Sequence, residues 1–274
     1  MSRTNPAIRA GSRSWRFDKW LAWAVPVAIV AVWQLLGDNG LIATRVLPTP
    51  YEVAQAAVRM AHKGVLLDYI GTSTGRALLG FAIGGGIGFA LGLLNGLFRL
   101  SETLLDTSVQ MLRNIPHLAI IPLVILWFGI GEEAKLFLVA LGSVFPIYLN
   151  TFHGIRSVDP GLIEMGRVYG LRGAKLFWKV VLPGALPSIL VGVRFALGFM
   201  WLTLIVAETI SADSGIGYMA MNAREFMQMD VVVLSVVLYA LLGKLSDAAA
   251  KWMERAWLQW HPNFKKQAKA GKAA

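Results

Sequence analysis

Six apolar stretches, each close to the ~20 residues that cross a bilayer as a helix, divide this chain and leave little of it for a soluble core. They fall near residues 21–36, 72–97, 108–130, 136–152, 185–210 and 231–250. With 56% hydrophobic and only 15% charged residues, the 274-residue chain carries more apolar side chain than a soluble domain of its size requires. It is read as an all-α membrane protein of about six transmembrane helices. The net charge of +10 does not point to nucleic acid, because Lys and Arg cluster between the apolar runs, as on the inner face of a membrane. The absence of cysteine excludes disulfides, thiolate catalysis and Cys-ligated metals, and leaves the redox compartment unread.

Orientation follows from the basic residues. Placing the N-terminus in the cytoplasm puts eighteen Lys and Arg inside and leaves Arg45, Arg59, Lys63, Lys135 and Arg224 outside, which the positive-inside rule favours. Residues 1–20 then form a cytoplasmic segment, 21–260 the membrane domain and 261–274 a basic cytoplasmic tail that lies on lipid headgroups or is disordered. The first apolar run follows Arg9, Arg13, Arg16 and Lys19 but has no small-x-small cleavage site, so it is read as an uncleaved span. Trp20, Trp23, Trp252, Trp257 and Trp260 fall near the inner interface. Residues 51–63 have helical spacing and are expected on the outer surface.

Inside the spans, Gly80, Gly84, Gly88, Gly92 and Gly96 recur every fourth residue and predict close packing of a second helix, within the chain or between two copies, with a direct pathway role as the alternative. Pro116 and Pro122 interrupt the third span, giving a kink or a mobile pathway element. Asn114 and His117 are the polar groups beside that interruption and are candidate pathway residues. Arg194, the deepest charge, offers a five-donor fork that suits either an interhelical contact or an anion pathway. Arg76 is expected to snorkel to the outer surface, and Lys244 to snorkel or to pair with Asp247.

Residues 164–183, EMGRVYGLRGAKLFWKVVLP, form a basic amphipathic insert between two spans. Pro160 opens a short helix with apolar positions Leu162, Met165, Val168 and Tyr169, and Gly170 supplies the left-handed residue that ends it. A second helix presents Leu176, Phe177, Val180 and Val181, before Leu182 and Pro183 turn the chain back into the membrane. Physically, this element either lies on headgroups or docks on a soluble partner.

The spacing of Glu164, Gly170, Val180, Leu182 and Pro183 resembles the cytoplasmic signature of permease subunits of type I ATP-binding-cassette (ABC) importers, the MetI-like permease fold. Met165 and Gly166 replace the usual two alanines after Glu164, and Gly166 lowers helix propensity. QMLRNIPHLAIIPLVILWFGIG (110–131), FPIYLNTFHGIR (145–156), GVRFALGFMWLTLIVAETIS (192–211) and SGIGYMAMNAREF (214–226) resemble the permeases of bacterial aliphatic sulfonate importers. Permeases for taurine, nitrate and bicarbonate share the pattern more loosely.

The resemblance implies a multi-pass protein of the bacterial inner membrane that moves a sulfonate by alternating access. It implies a second copy of the chain, two copies of a cytoplasmic ATP-binding-cassette subunit holding ATP and Mg, and a periplasmic sulfonate-binding protein. It assigns ATPase coupling to Glu164 as a polar contact or cap, to Gly170 as a hinge, and to Leu182 with Pro183 as the stop, within a loop at about 153–184. The residues agree in one respect: no G-x-x-x-x-G-K-[ST] loop is present, so the chain carries no such ATPase site, catalytic residue or cofactor of its own. A secondary carrier would need polar groups near mid-membrane and an internal repeat. A membrane-embedded enzyme would need clustered titratable groups, and the four histidines are scattered at 62, 117, 153 and 261.

Overall fold

The computed structural model describes residues 15–116 and 118–260, and every regular element among them is helical. His117, the first fourteen residues and the basic tail 261–274 lie outside the described residues. In order, the helices are α1 (Trp15–Asp38), α2 (Pro50–His62), α3 (Val65–Leu97), α4 (Arg99–Arg113), α5 (Ile121–Phe128) and α6 (Glu132–Arg156). They continue with α7 (Pro160–Val168), α8 (Gly173–Leu176), α9 (Leu182–Ser211), α10 (Ile216–Glu225) and α11 (Met229–Trp257). Four stretches are long and apolar enough to cross a membrane: α3, α6, Gly173–Ile210 and α11. Within α1, Trp23–Asp38 is apolar but shorter.

The centre of the bundle is a glycine seam. Gly84 lies against the carbonyl of Ala140, Gly88 against that of Val144, Gly92 against that of Tyr148, and Gly96 against the side chain of Ile155. Both rows advance together, so α3 and α6 run parallel. A Cβ at Gly84 or Gly88 would overlap a backbone carbonyl, so the close approach requires glycine there. The packing expected of the stripe is the packing observed.

The third span differs from expectation. Residues 108–130 are not one kinked helix: α4 ends at Arg113, residues 114–116 and 118–120 are outside any helix, and α5 begins at Ile121. Pro116 sits in the gap, whereas Pro122 occupies the first turn of α5, where its missing N–H leaves no ladder bond unmade. Glu102 of α4 pairs with Arg156 at the end of α6, while Val124 of α5 packs with Ala134 and Leu138 at its beginning. The two short helices therefore follow α6 from one end to the other, with the break between them.

On the other side of the seam, α9 and α11 close an apolar core through Leu197, Met200, Leu204, Val231 and Leu234. Helix α2 caps that core with Val53 and Ala56. It starts on a capping box in which the Thr49 side chain accepts from the Glu52 N–H and the Glu52 carboxylate accepts from the Thr49 N–H. The helix expected at 51–63 is this one.

Candidate functional site

The insert is an elbow that leads directly into a spanning helix. Asp159 caps α7 by accepting from the Gly161 N–H at 2.8 Å, and Pro160 fills the first helical position. At the other end of α7 the Gly170 N–H donates to the Arg167 carbonyl and the Leu171 N–H to the Gly166 carbonyl, each at 3.0 Å. This paired closure needs a left-handed residue, and Gly170 has φ +79°. Gly170 is therefore the helix terminator expected from the sequence. Glu164 is not a cap: Asp159 does that work, and Glu164 stands exposed without a side-chain partner among the described residues.

Pro183 is not a stop. Residues 173–210 are continuously helical, and the passage from α8 to α9 runs through a π-helical segment, Phe177–Val181, in which the Leu182 N–H bonds the Phe177 carbonyl. Proline has no N–H to donate and its ring crowds the carbonyl one turn earlier, so a wider turn immediately before Pro183 lets the helix pass it unbroken. The second limb of the elbow and the span thus form one continuous helix. Gly166 also gains a role. A Cβ there would lie 2.8 Å from Leu176 and 3.2 Å from Val180, so its small size is what lets the second limb fold onto the first.

The apolar residues of the elbow divide into two sets. Ile163, Phe177 and Val181 join Ile155, Val158 and Ala185 beneath it. The other set faces outward: Val168 is 85% exposed, Tyr169 80% and Trp178 65%, with Leu162 and Met165 also exposed. Arg167, Arg172, Lys175 and Lys179 surround this surface and are exposed too.

The opposite end of the bundle holds a second constellation, which the sequence reading missed. Arg76 does not snorkel; it is 5% exposed and donates all five guanidinium hydrogens. Nε and Nη2 grip the Glu132 carboxylate at 2.6 and 2.5 Å, Nη1 reaches Glu208 at 2.8 Å, and the remaining donors hold the carbonyl and hydroxyl of Ser214. Glu208, 1% exposed, also accepts from the Ser73 hydroxyl, the Gly217 N–H and the Tyr239 hydroxyl. Ser73 in turn accepts from the Ile216 N–H at 2.8 Å. Gly215, at φ +100°, and Gly217 pass so close to Glu208 that a Cβ on either would sit 2.5 Å from it. One carboxylate thereby ties α3, α9, α10 and α11 together. The available signal was a carboxylate near the end of an apolar run, followed by Gly-Ile-Gly at 215–217.

A smaller polar strap fastens α4. The Asn95 amide donates to the Tyr148 hydroxyl at 2.8 Å, and that hydroxyl donates to Asp106 at 2.7 Å. Helix α4 buries none of its residues, so this strap and the Glu102–Arg156 pair are its main polar attachments. Asn114 closes α4 and stands exposed at the break. Arg194 makes an interhelical contact: its Nε donates to Asp247 of α11 at 2.7 Å. Asp247 also pairs with Lys251; of the two alternatives read for Lys244, the pairing with Asp247 is not present among the described residues. The cavity beside Arg194 is lined by α9 and α11, and Asn114 is not part of it.

Residues 82–259 match the family described as "Binding-protein-dependent transport system inner membrane component". The chain is 63% identical to an aliphatic sulfonates transport permease protein, SsuC, of Escherichia coli (strain K12), over 90% of this chain and 95% of that protein. It is 42% identical to the protein of the same description in Bacillus subtilis (strain 168), over 96% of both. Among solved structures, an amino acid ABC transporter chain superposes with a TM-score of 0.59 at 16% identity, covering 73% of this chain and 97% of that one. The bundle is therefore of the type I ABC importer permease fold, without an ATPase site of its own. With its two-limbed elbow and parallel glycine seam, the chain belongs to the binding-protein-dependent transport system inner membrane components, the permease subunits of ABC transporters.

Proposed function

We propose that this chain is the membrane-spanning permease of an importer for aliphatic sulfonates, working as a pair of identical chains. Its elbow faces the cytoplasm and docks on two ATP-binding-cassette subunits, which hold ATP and Mg. A periplasmic sulfonate-binding protein delivers solute to the opposite end, where α2 and α10 lie. The observation that carries this reading is the elbow's bare apolar face, set on a limb continuous with a 38-residue helix. An exposed cluster of Val168, Tyr169 and Trp178 ringed by cations suits a partner protein with an acidic-rimmed apolar cleft. The unpartnered Glu164 adds a polar contact at its edge. Support for the solute comes from the 63% identical relative that bears the sulfonate description.

In mechanical terms, closure of the two ATPases brings the docked elbows together. The Phe177–Val181 segment transmits that movement into α9, and the spans rock between inward-open and outward-open arrangements. The test is ATP-dependent uptake by the purified complex in vesicles, offered alkanesulfonates, taurine, nitrate and bicarbonate. Uptake of alkanesulfonates in preference to the other three, abolished without ATP, is the expected result. ATP-independent uptake, or preference for one of the other anions, overturns the proposal.

A further inference from the structure

Between α9 and α11 lies a cavity of about 560 Å³ that combines a charged head with an apolar bed. At its head, one carboxylate serves two cations: Asp247 Oδ1 takes the Arg194 Nε–H at 2.7 Å, and Oδ2 takes Lys251 Nζ at 2.8 Å. The cluster carries a net single positive charge. Among the described residues, no side chain engages the two terminal nitrogens of Arg194, which leaves four N–H donors in a planar fork suited to an oxyanion. The bed consists of Val191, Phe195, Gly198, Leu202 and Gly243. A Cβ at Gly198 or Gly243 would meet nothing within 4 Å, so these glycines open the groove instead of admitting a helix.

The depth is informative. Arg194 lies twelve residues beyond Leu182, about 18 Å along the helix. Its side chain is 41% exposed, with Lys251 at 41% and Asp247 at 29%. Charges on spanning helices almost always face the bundle interior or a water-filled cavity.

We infer that this groove is an intramembrane station for the transported solute, an alkyl monoanion whose sulfonate engages Arg194 and whose tail lies along Phe195, Leu202 and the open glycines. The inference rests on the sulfonate reading and extends it to a site in the permease itself. Asp247 acts as a positioning residue, holding Arg194 by Nε so that its terminal nitrogens face the groove. The net single positive charge favours a monoanion. The apolar bed implies sensitivity to chain length, since each methylene buried there changes retention roughly fourfold.

The test uses the assembled complex in vesicles of zwitterionic lipid, comparing methanesulfonate with octanesulfonate and labelling with an alkanesulfonate carrying a photoreactive tail. In the wild type the label is expected on residues 195–202, displaced by octanesulfonate. Gly243→Leu fills the bed and is expected to reduce octanesulfonate uptake at least fivefold more than it reduces methanesulfonate uptake. Arg194→Met is expected to reduce uptake of both at least tenfold, with Arg194→Lys restoring part of it. ATP hydrolysis should persist in each variant, which separates the effect from loss of assembly. Equal slowing of both sulfonates by Gly243→Leu, or label elsewhere, overturns the inference. So does displacement of the label by added anionic lipid, which would make the groove a lipid site. Absence of sulfonate uptake by the wild type instead defeats the proposed function, and the photolabel still reads out whether the groove accepts alkyl anions.

Discussion

The two ends of the bundle handle polarity in opposite ways. Around Glu208, the strong donors and acceptors find their partners inside the chain: Arg76 uses all five hydrogens, and the carboxylate takes hydrogen bonds from four groups on three helices, α3, α10 and α11. At the elbow, Glu164 has no partner among the described residues and Val168, Tyr169 and Trp178 lie bare. The first is a self-contained clamp, which holds the α9–α10 connection to α3 and α11. The second is open surface, which the proposed function completes with an ATPase subunit. Buried charge is costly unless fully compensated, so a closed network marks where the chain must keep its shape.

This contrast is sharpest in what substitutions do to stability and to transport. Glu208→Leu removes the acceptor for Arg76, Ser73, Tyr239 and Gly217 together and is expected to cost about 3–5 kcal/mol. Thermal unfolding of the detergent-purified protein would record it as loss of the folded species, and an unchanged melting temperature would break the clamp half of the comparison. Gly170→Val meets no steric obstacle, since nothing lies within 4 Å of a Cβ there, but it forces a β-branched residue to φ +79°. That strain is expected to cost about 1–2 kcal/mol, which the folded bundle tolerates while the α7 terminus rearranges. Transport should fall steeply in an assembled protein, and normal uptake by a well-expressed Gly170→Val variant would remove the hinge from the mechanism. Val168→Ser is expected to change stability by less than about 0.5 kcal/mol, as an exposed position should, yet to weaken retention of the ATPase subunit on purification. A large loss of stability there would mean that the elbow packs against its own chain.

What the sequence revealed, and what it concealed, follows from the range of each interaction. The glycine stripe of α3 was legible because a four-residue repeat of missing side chains has one steric meaning whatever lies opposite. Gly170 was legible because helix termination is local: the two hydrogen bonds of its closure span at most five residues. The break between α4 and α5 was concealed, since an apolar run around two prolines reads equally as a kinked helix and as two short ones. Pro183 misled for a related reason. Proline at a presumed helix start suggests a boundary, whereas a π-helical segment before it carries the helix through. The clamp was the least legible feature, because Arg76 and Glu208 are 132 residues apart and neither local pattern nor spacing links them. Arg194 was recognised as unusual, but its partner on α11 could not be inferred from α9 alone.

The claim on which the account most depends is that the elbow docks on a separate ATPase. Because the chain has no cysteine, Val168→Cys provides a single permease thiol on the bare face, readable in a complex whose other subunits are made cysteine-free. The account predicts that this thiol reacts freely with a maleimide in the permease alone, is shielded when the ATP-binding-cassette subunit is present, and forms a cross-link to that subunit with a short bifunctional reagent. Equal reactivity with and without the ATPase, and no cross-link, would contradict it.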